Sequence, residues 1–229
     1  MRKTLSRITS FVMGIVGIFI LTSTLFPILS YEFSSLDSFS NYLSPVPEKD
    51  LTVIEKSGDD LTLASNWFEG GAKKEDFTKL GNIDYYTLSI PKFKIENAKV
   101  SVGGEDLSEN LIQYPGTALP GRMGNTVIFG HSILPQFFNP KNYLSIFSRL
   151  PELKKNDEIE IYYDGISYLY RVVDLVEVYP DDIEVLEQRW GDSYLSLVTC
   201  VPPGDPRKPR RLVVRAKIVP PGEETLSKI

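Results

Sequence analysis

The 229-residue chain contains one cysteine, Cys200, and one histidine, His131. A thiolate is a strong nucleophile near neutral pH, and imidazole is the side chain that most readily gains or loses a proton there. The pair therefore suits acyl transfer, in which the thiolate attacks a carbonyl and the protonated imidazole hands its proton to the departing amine. Such chemistry also needs a fixed donor for the oxyanion. Arg211 is the candidate, because a guanidinium stays charged at any working pH and presents a rigid fork of N–H groups. With reference pKa values near 8.5 and 6.5, about 3% of thiols and about 24% of imidazoles carry the required charge at pH 7. Under about 1% of molecules carry both if the two groups titrate independently, so the local field must raise that fraction or the reaction must run slowly.

Each residue also has a plain structural reading. A lone cysteine in a β-rich chain packs as a small hydrophobe, a lone histidine is often structural, and an arginine starting a strand is often solvated. What links the three is their position. Short β-type runs at 85–90, 98–102, 125–129, 158–163, 167–178, 193–199 and 212–219, separated by turn residues, predict an all-β sandwich or barrel. His131 follows the run 125–129, and alternation puts Val127, Phe129 and His131 on one face. Cys200 closes the run 193–199, whose core face is Leu195 and Leu197, so the thiol is expected to point to a surface or groove. After the Pro202-Pro203-Gly204-Asp205-Pro206 turn, the core face passes to Leu212, Val214, Ala216 and Ile218. Arg211 then shares the face of Cys200 if the two strands pair as a hairpin, whereas Arg210 has core parity. An outward Arg211 is expected to matter little to stability. Helical segments are expected at 107–111 and around 142–150, where Leu144, Phe147 and Leu150 recur at helical spacing.

Hydrophobic residues make up 42% of the chain and charged residues 24%, with a formal net charge of -5 and no basic stripe. That make-up fits one globular domain with appendages and argues against nucleic-acid binding. A single cysteine excludes an intramolecular disulfide, so a packed core must hold the domain. Asp181, Asp182, Glu184 and Glu187 read as a solvated loop, and no carboxylate cluster has calcium-loop spacing. No metal and no cofactor is expected.

Residues 8–29 include no ionisable side chain. As a helix they span roughly 33 Å, enough for a hydrocarbon core of about 30 Å. Arg2, Lys3 and Arg7 precede the run while Glu32 and Asp37 follow it, which predicts an uncleaved single-pass anchor in the cell membrane. The expected organisation is a cytoplasmic tail at 1–7, a transmembrane helix at 8–29, an extracellular linker at 30–82, a folded domain at 83–219 and a tail at 220–229. Within the linker, residues 61–68 are too apolar for a pure spacer and could dock on the domain as a lid.

Four segments carry a family resemblance. SLVTC at 196–200 is similar to the Thr-Leu-x-Thr-Cys signature of the sortases, with Ser196 in place of the first threonine. RLVVRA at 211–216 resembles the segment bearing their catalytic arginine, and GTALPGRMGNTVIFGHS at 116–132 resembles the approach to their catalytic histidine. YTLSIPKFKI at 86–95 resembles their first strand. The resemblance implies a mainly β fold, an eight-stranded sortase-like barrel with short helices, and catalytic roles for His131, Cys200 and Arg211. It implies cleavage of a Leu-Pro-x-Thr-Gly-like sorting signal after its threonine through a thioacyl intermediate on Cys200. An amine acceptor, a peptidoglycan precursor or a pilin lysine, would then take the acyl group. Thr199 would flank the oxyanion site through its hydroxyl or a nearby backbone N–H, or serve only as a β-former.

Pilus-polymerising sortases often carry a lid with an Asp-Pro-aromatic motif, and some carry a second membrane helix. Here the nearest counterpart is Asn66-Trp67-Phe68, without the proline, and no second long apolar run follows. An anchoring role is therefore expected rather than pilin polymerisation. Two other readings stand beside the sortase one. The chain could be a membrane-anchored β-barrel binding module with an inert cysteine. It could also be another cell-wall cysteine peptidase or an L,D-transpeptidase, although here His131 precedes Cys200 and the usual His-Gly-Cys cluster is missing.

Overall fold

The computed structural model describes residues 2–38, 40–41, 60–78, 84–188 and 191–220. The chain divides into two compact units, residues 1–38 and 39–229. The first is a single helix, α1 (Arg2–Ser38), whose stretch Thr9–Phe33 has a mean hydropathy of 2.3. Those 25 residues make about 37 Å of helix, long and apolar enough to cross a membrane. The helix runs past Leu29, where a linker was expected to begin, because no glycine or proline interrupts the chain between Pro27 and Pro45.

Among the described residues the second unit has nine strands: β1 (Ser40–Asn41), β2 (Asp84–Ile90), β3 (Ile95–Val102), β4 (Leu111–Gln113), β5 (Gly124–Phe129), β6 (Glu158–Tyr163), β7 (Ile166–Val178), β8 (Ser193–Val201) and β9 (Arg210–Ile218). Their order is β1-β7-β6-β2-β3-β4-β5-β8-β9, and a further pairing of β7 with β9 closes β2 to β9 into an eight-stranded barrel. Closure removes the open edges that an antiparallel sheet otherwise leaves. Within the barrel two pairings, β3 with β4 and β5 with β8, are parallel, and β1 joins β7 in parallel outside it.

Alternation sorts the buried side chains into two sets. Leu88, Val100, Ile128, Leu195, Leu197, Val214 and Ala216 are fully buried and fill the barrel. Residues of the other parity, Val127, Phe129, Val198, Cys200 and Val213, form a second cluster on the outer wall with Trp67, Phe68 and Phe77. A register shift in β7 between Val172 and Asp174 inserts one residue. This bulge turns Val176 and Val178 to the outer wall, where they join the same cluster.

The expected helix at 107–111 does not form. Residues 107–110 make turns and Leu111 opens β4, the short strand that pairs with β5. Residues 142–150 likewise form turns, held by i to i+3 bonds such as Ser145 N to Asn142 O and Ser148 N to Ser145 O, before a 3-10 helix at Leu150–Glu152. Asn142 Oδ1 also accepts from the N–H of Leu144, the local competition that makes asparagine a turn former, and Pro151 can continue no α-helix.

Candidate active site

Three strands deliver the three residues. In the β8–β9 ladder Cys200 pairs directly with Arg211, so their side chains leave the same face of neighbouring strands. The hairpin required by the sequence argument is therefore present. In the parallel β5–β8 ladder Phe129 pairs with Val198, which carries His131, two residues further on, to the level of Cys200. Glycine is needed just before the histidine. A Cβ at Gly130 would lie 2.4 Å from Phe147 Cδ2 and 2.6 Å from Leu111 Cδ2. The N–H of Phe147 in turn donates to the carbonyl of His131 at 3.0 Å.

The expectation of a solvent-facing thiol is corrected. Cys200 lies on the outer face, as parity requires, yet it is 0% exposed. His131 and Arg211 are 4% and 3% exposed. The reason is the segment 60–78, which packs over this face. Trp67 stacks on Phe129 with ring centroids 5.0 Å apart and meets the His131 ring edge-on at 6.0 Å. Backbone bonds from Ala64 N to Glu105 O and from Leu107 N to Thr62 O, both 2.9 Å, fasten it to the β3–β4 connection. Ser65 Oγ donates to Glu105 Oε2 at 2.7 Å, and Lys74 Nζ lies 2.8 Å from Glu105 Oε1. The hydroxyl of Tyr114 accepts from the N–H of Ala72. Residues 61–68 thus form a cover on the site, in part a 3-10 turn at Ala64–Asn66, with α2 (Lys74–Thr78) following.

Arg211 is also less free than expected. Its Nε donates to Trp67 O at 3.1 Å and one terminal nitrogen donates to Lys208 O at 2.8 Å and Arg210 O at 3.2 Å. A buried guanidinium satisfying three carbonyls contributes to stability, contrary to the sequence expectation. Arg210 instead forms an ion pair with Glu177 at 2.9 Å. Thr199 is fully buried, and its hydroxyl donates its one proton to Gly130 O at 2.8 Å. In this arrangement that proton is not free for an oxyanion.

Electrostatically the covered site is quiet. Burial, with a smaller contribution from the Lys208 ammonium, lowers the His131 pKa to about 4, against the opposing pull of Asp60 and Asp106. His131 Nε2 is buried and has no hydrogen-bond partner among the described residues. The imidazole is therefore neutral at pH 7 while Trp67 is in place. Among the described residues no group of His, Cys, Asp and Glu side chains could hold a metal ion.

The model of the sortase domain matches residues 88–219, more than half of the chain, and spans all three residues. The chain belongs to the sortase family. Its sortase domain is 32% identical over 135 residues to sortase A of Bacillus anthracis, a match covering 58% of each protein. It is 28% identical over 137 residues to sortase A of Streptococcus agalactiae serotype III, covering 59% of this chain and 50% of that one. The chain thus matches half to three-fifths of the length of these relatives. The structure of a lid mutant of sortase A from Corynebacterium diphtheriae aligns with a TM-score of 0.52 at 27% identity, covering 64% of this chain and 77% of that one. The sortase barrel expected from the four sequence segments is the barrel observed.

Sequence reasoning pointed to Trp67 as part of an apolar island and of Asn66-Trp67-Phe68, the nearest counterpart of a lid motif, and not as a partner of His131 or Arg211. It gave no role to Ser132, whose hydroxyl donates to Cys200 O at 2.6 Å. No local signal marks that contact, since it joins residues 68 positions apart.

Proposed function

We propose that this chain is a membrane-anchored cysteine transpeptidase that cleaves a Leu-Pro-x-Thr-Gly-like sorting signal of secreted proteins and transfers the acyl group to an amine. The observation that carries this reading is the direct cross-strand pairing of Cys200 with Arg211, with His131 brought alongside by the β5–β8 ladder. The Cys200 thiolate attacks the carbonyl of the signal's threonine. Arg211 donates to the developing oxyanion, and the His131 imidazolium protonates the departing glycine amine. The thioacyl intermediate then passes to the amine acceptor, a peptidoglycan precursor or a pilin lysine, while His131 removes the amine's proton. α1 holds the protein in the cell membrane with its amino terminus in the cytoplasm and the barrel outside, in keeping with the positive residues Arg2, Lys3 and Arg7 before the apolar run.

Residues 61–68 act as a lid in this reading. Trp67 O takes the Arg211 donor that a substrate oxygen needs, and the indole covers the thiol and imidazole. Sortase A of Corynebacterium diphtheriae, known also as a lid mutant, offers a parallel. Once the segment lifts, Phe129, Val178, Val185 and Leu186 line an apolar wall suited to the leucine and proline of the signal.

The complete burial of Cys200 would equally suit an inert packing thiol in a binding module. One experiment separates the readings. The full chain in detergent micelles is mixed with a Leu-Pro-x-Thr-Gly peptide and an amine, and adducts on the protein are weighed by mass spectrometry. A thioester adduct on Cys200, absent in Cys200→Ala, together with aminolysis of the peptide, supports the transpeptidase. No adduct, or turnover of peptidoglycan stem peptides alone, overturns it.

A further inference from the structure

The backbone ladder between β5 and β8 stops one residue short of the histidine. Its last bond runs from Gly130 N to Val198 O at 3.1 Å, after which the chain leaves for the loop that holds the 3-10 helix Pro135–Phe137. Yet His131 must stay level with Cys200. Two side-chain hydroxyls take over where the N–H groups end. Thr199 Oγ1 donates to Gly130 O at 2.8 Å, and Ser132 Oγ donates to Cys200 O at 2.6 Å. Both hydroxyls are buried, with Thr199 at 0% and Ser132 at 2% exposure, so both bonds are shielded from competing water.

The Ser132 bond differs in kind from its neighbour. It ties the residue following the acid/base to the peptide of the nucleophile itself. On the other side His131 O is held by Phe147 N, so His131 is fixed by one bond on its own carbonyl and one on the side chain of the next residue, which approach from separate elements. In many Cys–His pairs a third side chain orients the imidazole. Here His131 Nε2 has no partner among the described residues, so its placement falls to backbone anchoring and to contacts with the Trp67 ring.

We infer that Ser132 is a positioning residue for the proposed acyl transfer, its hydroxyl holding His131 in register with Cys200 by extending the β5–β8 ladder past the end of its backbone bonds. The inference rests on the transpeptidase reading. A bond that only fills space would matter to stability alone. A bond that sets the imidazole against the sulfur matters to the chemical step, where a displacement of about 1 Å can cost about a hundredfold.

The test uses the full chain in micelles, the same sorting peptide and amine, and mass detection of the Cys200 adduct. Ser132→Ala is expected to lower kcat by about 10- to 100-fold with KM within about twofold of wild type. Ser132→Thr, which keeps the hydroxyl, is expected to recover most of kcat. Ser132→Val, of the same shape as threonine without the hydroxyl, should behave as the alanine variant and keeps the comparison valid if alanine folds poorly. Ser148→Ala removes a neighbouring loop bond, Ile133 N to Ser148 Oγ at 2.9 Å, without touching β8, and is expected to leave kcat unchanged. Equal kcat for the threonine and valine variants, or an equal loss in Ser148→Ala, overturns the positioning role while the transpeptidase reading stands. Absence of any wild-type adduct overturns both.

Discussion

Trp67 meets Arg211 twice: its carbonyl accepts from Nε at 3.1 Å, and its indole ring centre lies 5.7 Å from the guanidinium carbon. One residue therefore occupies both the donor and the face of the arginine. In the proposed reaction, a substrate carbonyl could reach that donor only if Trp67 withdrew.

Replacing Trp67 with alanine removes the stacking on Phe129, the edge contact with His131 and the cation–π contact with Arg211. A fully buried aromatic is worth about 3–5 kcal/mol, and here much of that holds the 60–78 segment down rather than the barrel together. Alkylation of Cys200, the chain's only thiol, should therefore accelerate by at least tenfold in Trp67→Ala. Unchanged labelling would show that the segment does not control access.

Glu105 fastens the same segment at two points, Ser65 and Lys74. The Lys74 side chain is 65% exposed, so solvent screens its ion pair and the pair adds little. The half-buried Ser65 bond to a carboxylate is worth more, about 1.5–3 kcal/mol. Glu105→Ala is thus expected to speed thiol labelling clearly more than Lys74→Ala. The reverse order would assign the fastening to the lysine.

Closing the cover requires a neutral His131, whose pKa is held near 4 by burial and by Lys208, with Asp60 and Asp106 opposing. Uncovered, the imidazole returns toward its ordinary value near 6.5, so the open form binds more protons between those values. The closed form is fully favoured above about pH 6.5 and loses stability as pH falls toward 4. By pH 5 opening should be favoured on the order of tenfold over pH 7. Hydrogen exchange across residues 60–78, corrected for the intrinsic pH dependence, measures this, and equal protection at both pH values would refute it.

Arg211→Ala should cost both activity and stability. It strands the carbonyls of Trp67, Lys208 and Arg210, a loss of about 2–4 kcal/mol in a thermal or denaturant melt. Arg211→Lys should restore little activity, because an ammonium lacks the planar fork that serves several carbonyls at once. Cys200→Ala, by contrast, removes only a small buried thiol and should abolish the adduct at a modest cost in stability.

The barrel was legible because alternation in 125–129, 193–199 and 212–219 follows one core, and the observed strands differ there by at most two residues at either end. The shared face of Cys200 and Arg211 followed from the same parity. The thiol's burial was not legible, because its cover comes from residues more than 130 positions away whose docking depends on Glu105, Tyr114 and Pro180. Nor was the turn of Val176 and Val178 to the outer wall, since an uninterrupted run from 167 to 178 carries no mark of the inserted residue. β4 was missed, with its first residue Leu111 assigned to the expected helix at 107–111, because three buried residues, Leu111 to Gln113, are too few to declare a period.

The aromatic cover has a chemical effect beyond excluding peptide. A sulfur without exposed surface is out of reach of peroxide and of small disulfides, whose attack requires contact with the thiolate. The chain has no second cysteine to resolve a sulfenic acid, so any oxidation of Cys200 could not be repaired from within. Under the proposed lid, a thiol kept beneath Trp67 would run its oxidative risk only in the intervals when the segment is lifted.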